Sequence, residues 1–267
     1  MCSALSAIAA ASGPRYQLLV SSAAPFDLER MVPDLLSKDS IERDMLELHL
    51  RRYAFAANFV RGKRVLDLAC GAGYGSVILK EAGAAEVIGV DLAPDCIHYA
   101  RERYARPGIE FLQADGMTFT PAGGCDVIVS LETIEHVPDA HGFVAHLASL
   151  LPPGGVLIGS VPTTLSTDVN PFHLHDFSPR QFRELFSSLG FETLAELPQD
   201  QPFSPWALLP FGARPSRRHQ LRQGLVPYYL AHPQLLAKRL MTTLRHGFCN
   251  KYLAIAGQKT AVGPGRG

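Results

Sequence analysis

The chain is 267 residues long and 47% hydrophobic, with 25 basic and 25 acidic side chains. That length buries a full core as one large α/β domain, or as one domain with an embellishment, and the composition excludes a disordered chain. The zero net charge hides an asymmetry: residues 201–250 hold seven Lys/Arg (Arg214, Arg217, Arg218, Arg222, Lys238, Arg239, Arg245) and no acid, leaving 18 bases against 25 acids elsewhere, which suggests a basic surface on a mildly acidic body.

The five cysteines (Cys2, Cys70, Cys96, Cys125, Cys249) are odd in number and in no Cys-x-x-Cys or Cys/His ligand spacing. This is the usage of a reduced, cytoplasmic protein without structural zinc. Met1 to Ser12 is alanine-rich but lacks the basic start of a secretory signal. No window reaches the roughly 20 apolar residues of a membrane span.

From Met1 to about Lys38 only the turn-formers Ser12-Gly13-Pro14 and a short helical pattern over 28–36 stand out. Asp39 and Glu42 have the spacing of a capping box, and Ile41, Met45, Leu48, Phe55 and Phe59 fall on one helical face, so a helix is expected to lead into the first strand. That strand, Val65-Leu66-Asp67-Leu68, delivers Ala69-Cys70-Gly71-Ala72-Gly73-Tyr74-Gly75-Ser76. Glycine permits positive φ and close approach to a ligand, and the first turn of the following helix offers N–H groups without helical partners. The spacing is G-x-G-x-G. Ser76 stands where the dinucleotide fingerprint places a third glycine, which argues against a nicotinamide oxidoreductase.

A helix through Val77, Ile78 and Leu79 stops at Gly83, and Val87 to Asp91 is the second strand. Asp91 lies 20 positions after Gly71. A doubly wound sheet brings the end of its second strand beside the glycine turn, so this carboxylate can accept from both hydroxyls of a ribose. Its alternative duty is to cap the helix begun by Pro94 and Asp95. Ile109 onward is the third strand with its turn through Ala114, Asp115 and Gly116. Cys125 to Ser130 is the fourth, a continuous apolar run suited to a sheet covered on both faces.

The fourth strand opens into Leu131-Glu132-Thr133-Ile134-Glu135-His136. As one helical turn, this run would set Glu132, Glu135 and His136 on one face. Two chemistries and a purely structural turn stay open. His136 could be the general base for a hydroxyl acceptor, with Glu135 orienting or charging it. Alternatively Glu132, Glu135, His136 and a later histidine could hold a hard divalent cation that acidifies the hydroxyl, although no residue is assigned outright as a metal ligand. Asp139 caps a helix with Phe143, Leu147, Leu150 and Leu151 inward, and Val156 to Pro162 is the fifth strand. Of His173 and His175, the second lies just before the helix that Ser178 caps and is the better candidate for a second site histidine. Phe191–Leu194 and Lys251–Gly257 are the sixth and seventh strands.

These residues resemble the class I S-adenosylmethionine-dependent methyltransferases. Asp67-Leu68-Ala69-Cys70-Gly71-Ala72-Gly73 resembles their first motif, Val90-Asp91-Leu92-Ala93-Pro94 their second, and Leu151-Pro152-Pro153-Gly154-Gly155-Val156-Leu157 the approach to their fifth strand. The resemblance implies an α/β fold: a doubly wound, seven-stranded Rossmann-like sheet with the last strand antiparallel. It places an N-terminal helical segment at residues 1–60, the core at 61–198 and 250–258, a basic helical cap at 199–249, and a disordered tail at 259–267. In such enzymes the N-terminal helix is often a lid, so His49, Arg51, Arg52 and Tyr53 would lie over the cofactor, or else form an ordinary helix face with Tyr53 half buried.

The implied cofactor is S-adenosylmethionine, leaving as S-adenosylhomocysteine. Its implied contacts are Asp67, Ala69, Gly71, Gly73, Asp91, Leu92, Asp115 on the adenine amino group, Gly116 beside the ring, and Ser130, Leu131 and Glu132. His136, Glu135 and His175 are the catalytic candidates. The E-x-x-E-H run with a distant histidine is also similar to small-RNA 2′-O-methyltransferases and some ubiquinone-pathway O-methyltransferases, which keeps a divalent cation in view.

Roughly 55 residues separate the last two strands, too many for a structureless loop, so helices carrying Trp206, Pro227-Tyr228-Tyr229, Leu235, Leu236 and Leu240 are expected there. A basic, aromatic-bearing cap suits an anionic acceptor such as a nucleotide sugar, a phosphorylated glycan or a lipid diphosphate. It also suits RNA or peripheral contact with an anionic membrane. The expected activity is methylation of a hydroxyl on a sugar, glycan precursor or natural product. A quinone-pathway or RNA 2′-O-methyltransferase comes second, and a non-catalytic cofactor-binding protein third. Asn170-Pro171-Phe172 does not follow the fourth strand, where amino-group DNA methylases carry N-P-P-Y, so adenine-N6 methylation is not expected.

Overall fold

The computed structural model describes residues 40–203 and 224–261, which fall into two compact units divided after Asp115. The expectations for residues 1–39, for Trp206 and Arg214 to Arg222, and for the end of the tail lie outside the described residues, as does the Asp39–Glu42 capping box.

Helix α1 (Ser40–Ala56) opens the first unit, followed by β1 (Arg64–Leu68), α2 (Tyr74–Glu81), β2 (Glu86–Asp91), α3 (Pro94–Tyr104) and β3 (Ile109–Gln113). The strands are parallel in the order β3-β2-β1, with Leu68 opposite Val90 and Asp91 opposite Gln113. β1 and β2 are buried along nearly their whole length, as strands covered on both faces must be. α1 turns Leu48, Arg52, Tyr53 and Ala56 inward, whereas Phe55 and Phe59 are only half-buried. Tyr53 is therefore neither solvent-facing nor half-exposed. Arg51 stays on the surface, paired with Glu47 one turn earlier.

The second unit holds β4 (Val127–Leu131), α4 (Ala140–Leu150), β5 (Val156–Pro162), α5 (Pro179–Ser188), β6 (Phe191–Pro202), α6 (Leu225–Ala231), α7 (Pro233–His246) and β7 (Cys249–Lys259). Its strand order is β4-β5-β7-β6, so the two units together contribute seven strands to a mixed sheet. β4 and β5 are parallel, and β7 runs antiparallel to both β5 and β6. Two caps start their helices as the residues dictate. Asp139 accepts from the Gly142 N–H at 2.8 Å. Ser178 and Gln181 form a reciprocal capping box.

The last two strands are longer than their apolar residues foretell. β6 continues through Pro198 to Pro202, which pairs with Cys249. As the outermost strand of the order, β6 tolerates prolines that an inner strand would not. α6 and α7 follow, held to the loop after β5 by side chains. Arg239 donates from Nε to the fully buried Asp168 at 2.7 Å and from Nη2 to both Asp168 and the Leu165 carbonyl. Tyr229 donates to the same carboxylate at 2.6 Å, and Lys238 lies 3.2 Å from Asp176. Two of the bases that the charge pattern assigned to an acceptor-facing surface thus bind carboxylates of their own chain. Among the described residues no helix is long and apolar enough to cross a membrane.

Candidate active site

The glycine turn lies in the first unit. Ala69, Gly71 and Gly73 all have left-handed backbones, with φ of 59°, 53° and 87°. Each glycine has a separate reason. A Cβ on Gly73 would lie 2.7 Å from the Ala100 Cβ and 2.8 Å from the Phe111 ring, whereas one on Gly71 would meet nothing within 4 Å. Gly73 is thus required by packing, while Gly71 faces open space. A Cβ on Gly75 would sit 1.9 Å from the Tyr53 ring, so this glycine admits the tyrosine of α1 against the start of α2.

Ser76, in place of a third glycine, donates to Asp67 Oδ2 at 2.6 Å, and the Tyr53 hydroxyl donates to Oδ1 at 3.2 Å. The close approach of helix to strand passes to Gly89 of β2, where a Cβ would come within 3.0 Å of Ser76 Oγ. Burial raises the Asp67 carboxyl to about 7, against the opposing pull of the Ser76 and Tyr53 bonds. Burial, and then Asp67 itself, push the Tyr53 phenol well above its ordinary value, so it remains a donor.

Asp91 tethers two backbone segments. Its Oδ2 accepts from the Gly71 N–H at 2.9 Å, tying the glycine turn to the end of β2, and its Oδ1 accepts from Ala93 N–H at 2.9 Å, where α3 begins. A carboxylate oxygen has two lone-pair sites, so each can also accept a hydroxyl. Leu92, next in sequence, is 64% exposed, and Asp115 is exposed on the turn after β3. α2 starts at Gly73 with no side chain capping its N–H groups. Uncapped donors, an acidic strand end and an exposed aliphatic side chain fit the phosphate-free nucleoside part of S-adenosylmethionine.

Gly116, Ser130, Leu131 and Glu132 belong to the second unit. Ser130 and Leu131 are buried, and Ser130 Oγ finds no hydrogen-bond partner among the described residues. The expected helical turn from Glu132 is not formed. Glu132 has a left-handed φ of 51°, its N–H donates to the Ser160 carbonyl at 3.1 Å and to Ser160 Oγ at 3.0 Å, and its Oε1 accepts from that hydroxyl at 2.8 Å. Held by Ser160, it shares no helical face with Glu135 and His136. A left-handed backbone at a non-glycine residue costs about 1–2 kcal/mol and persists where surrounding structure enforces it.

Beyond it, a tight turn closed by His136 N–H on the Thr133 carbonyl (3.0 Å) presents Glu135, which is fully buried. The His136 ring places Nδ1 3.1 Å from the Phe172 carbonyl and Nε2 4.0 Å from Glu135 Oε1. The second histidine beside it is His173, not His175. The His173 ring meets His136 edge-on, with centroids 4.7 Å apart, and its Nδ1 lies 2.7 Å from Ser166 Oγ. Burial and then His136 lower the His173 imidazole to about 4, against Asp176. One ligand atom from each of Glu135, His136 and His173 lies within 4.8 Å of the others.

His175 bonds through Nε2 to the Val137 carbonyl at 2.9 Å and lines a shallow groove with Pro138, Asp139 and Phe177. The two histidines diverge because the segment is not extended: Leu174 and His175 both donate their N–H to the Glu135 carbonyl. Ser166 and Asp176 were not singled out by motif. Burial would raise the Asp176 carboxyl, but bonds from the Ser166 and Thr167 backbones, the Thr167 hydroxyl and Lys238 hold it below its ordinary value. Asp176 thereby orders the loop that carries Ser166, the partner of His173.

The fold and the glycine turn define a class. Residues 40–196, more than half of the chain, match the family described as a methyltransferase domain, and the chain belongs to that family. A probable S-adenosylmethionine-dependent methyltransferase of Mycolicibacterium smegmatis is 32% identical over 177 residues, 64% of this chain and 66% of that protein. A ubiquinone biosynthesis O-methyltransferase of Bordetella avium is 35% identical over 103 residues, 37% of this chain and 42% of that protein. The chain therefore spans just under two thirds of the first relative's length and less than half of the second's. Among solved structures, the YcgJ protein of Bacillus subtilis superposes with a TM-score of 0.60 at 18% identity, over 80% of this chain and all of that one, a likeness of fold alone.

Proposed function

We propose that this protein transfers a methyl group from S-adenosylmethionine to a hydroxyl of a small-molecule acceptor, of the sugar, glycan-precursor or natural-product class. The observation that carries the oxygen acceptor is the Phe172 carbonyl 3.1 Å from His136 Nδ1. The Phe172 carbonyl can only accept, so the Nδ1 beside it carries the ring hydrogen, and Nε2 is left with its lone pair toward the Glu135 side. The cofactor, when bound, supplies an electrophilic methyl group and its own leaving group. Asp91 and the N–H groups opening α2 hold the nucleoside. His136 Nε2 takes the acceptor's proton, and buried Glu135 stabilises the imidazolium that results. His173, kept neutral, buttresses the ring without competing for the proton. A positioned base of this kind contributes about 10²–10⁴-fold to rate. The B. avium relative's name, an O-methyltransferase, supports the oxygen acceptor.

The test is transfer of labelled methyl to a panel of hydroxylated acceptors. Loss of about a hundredfold or more in kcat for His136→Ala supports the base. Undiminished turnover by that variant contradicts it, and stabilisation by NAD in place of S-adenosylmethionine would sink the whole assignment.

A second reading is favoured by the Glu135–His136–His173 cluster. Two imidazoles and one carboxylate suit manganese or zinc better than magnesium, and such an ion would orient and acidify the same hydroxyl. Calorimetric titration with Mn²⁺ or Zn²⁺, repeated on Glu135→Gln, distinguishes it: a site destroyed by the substitution supports the cation, and no binding eliminates it.

A further inference from the structure

An ordinary surface helix buries its apolar stripe and turns its charges to water. α7 departs from this. Its Arg239 is pinned inward on the fully buried Asp168, where Tyr229 of α6 also donates. Away from that anchor, Leu240, Met241 and Leu244 occur at i, i+1 and i+4, the spacing of one outward stripe. Leu244 is 87% exposed and Met241 71%, and Leu230 of α6 reaches 77%, with Val226 beside it in the same state. By the same periodicity Lys238 and Arg245 border the stripe next to Met241. Residues 224–261 contain no acid, although Lys238, Arg239 and Lys251 pair with Asp176, Asp168 and Asp200 from outside that span.

We propose that this face of α6 and α7 docks on an anionic lipid surface, with α7 lying in the plane of the interface. A contiguous exposed apolar patch on a folded chain marks an interaction site. Aliphatic side chains bordered by Arg245 and the partly exposed Lys238, on helices that carry no acid of their own, match the apolar boundary and negative headgroups of a bilayer. Nucleic acid is a poorer match, because single strands are held by stacking on aromatic planes, and the stripe is leucine, methionine and valine. The inward anchor explains why the apolar side stays outward: turning α7 over would strand the Asp168 charge in the core.

The experiment is flotation of the full chain with vesicles of phosphatidylcholine alone or mixed with phosphatidylglycerol. Binding to the mixed vesicles, weakened by salt and lost about tenfold in Leu240→Glu/Leu244→Glu, supports the proposal, with a smaller loss for Arg245→Glu. An unchanged thermal shift with S-adenosylhomocysteine shows that the double variant is folded. Should it unfold, Leu244→Ser at the most exposed position makes the same comparison. Equal flotation by the variants, or none by the wild type, overturns the proposal. So does a wild-type dimer, seen by light scattering, that the variants dissociate, or retention on RNA that they abolish.

Discussion

The glycine turn and the histidine cluster are built by opposite strategies. In the first unit, Asp67 to Ser76 is a contiguous stretch whose residue types are dictated by backbone geometry and by contacts with α1, α3 and β2. In the second, Glu135, His136 and His173 meet only because Ser160, Phe172, Ser166 and Asp176 steer two loops toward one another. In the function we propose, the first arrangement holds a nucleoside by main-chain groups and one carboxylate, and the second supplies the proton acceptor. Substitutions in the two regions should therefore fail differently, one set losing cofactor affinity and the other turnover.

The largest effects should separate the regions cleanly. His136→Ala is expected to lower kcat by about a hundredfold or more, with S-adenosylhomocysteine affinity changed by less than about threefold. Asp91→Ala should do the opposite, weakening that affinity by about a hundredfold through loss of the Gly71 and Ala93 tethers and of the ribose acceptor, as calorimetry would show. Next comes Gly73→Ala, which forces a left-handed alanine against Ala100 and Phe111. It should cost about 3 kcal/mol in denaturant unfolding, whereas Gly71→Ala, left-handed but with open space around its Cβ, should cost only the backbone strain of about 1–2 kcal/mol.

A pH experiment sharpens the contrast further. The Asp67 carboxyl is raised in the fold to about 7, so the folded chain holds a proton that the unfolded chain releases near 4. Its contribution is greatest at low pH and is lost as pH rises toward 7 and through it, on the order of 2 kcal/mol between pH 5 and 8. Asp67→Asn should flatten that slope in thermal unfolding and unfold at higher temperature than the wild type at pH 8. The smallest effect is expected of Ser166→Ala, which removes the partner of His173 Nδ1. It should reduce kcat by about five- to tenfold, near 1 kcal/mol, without altering cofactor affinity.

The same contrast explains what was legible in the amino-acid sequence. The glycine turn, the strand end at Asp91, the turn with Asp115 after β3, and the caps at Asp139 and Ser178 are local rules in which neighbouring residues decide the backbone. Other features depend on distant partners. The run from Glu132 to His136 reads as a helical turn until Ser160, 28 residues away, takes both the N–H and the carboxylate of Glu132. His173 displaced His175 because the loop curls around one carbonyl of Glu135. The burial of Tyr53 follows from Gly75, a glycine whose purpose is visible only with α1 in place. β6 outran its apolar residues because an edge strand accepts Pro198 and Pro202. The bases of the cap looked ligand-directed, yet Lys238 and Arg239 proved to be anchors.

The central claim, that cofactor holding and proton chemistry reside in separable groups of residues, is tested most directly by titrating S-adenosylhomocysteine into the wild type, Asp91→Ala and His136→Ala by calorimetry. Binding by the wild type, a loss of at least about tenfold in Asp91→Ala and affinity within about threefold in His136→Ala are the results expected. A His136→Ala protein that no longer binds, or an Asp91→Ala protein that binds as well as the wild type, would contradict the account.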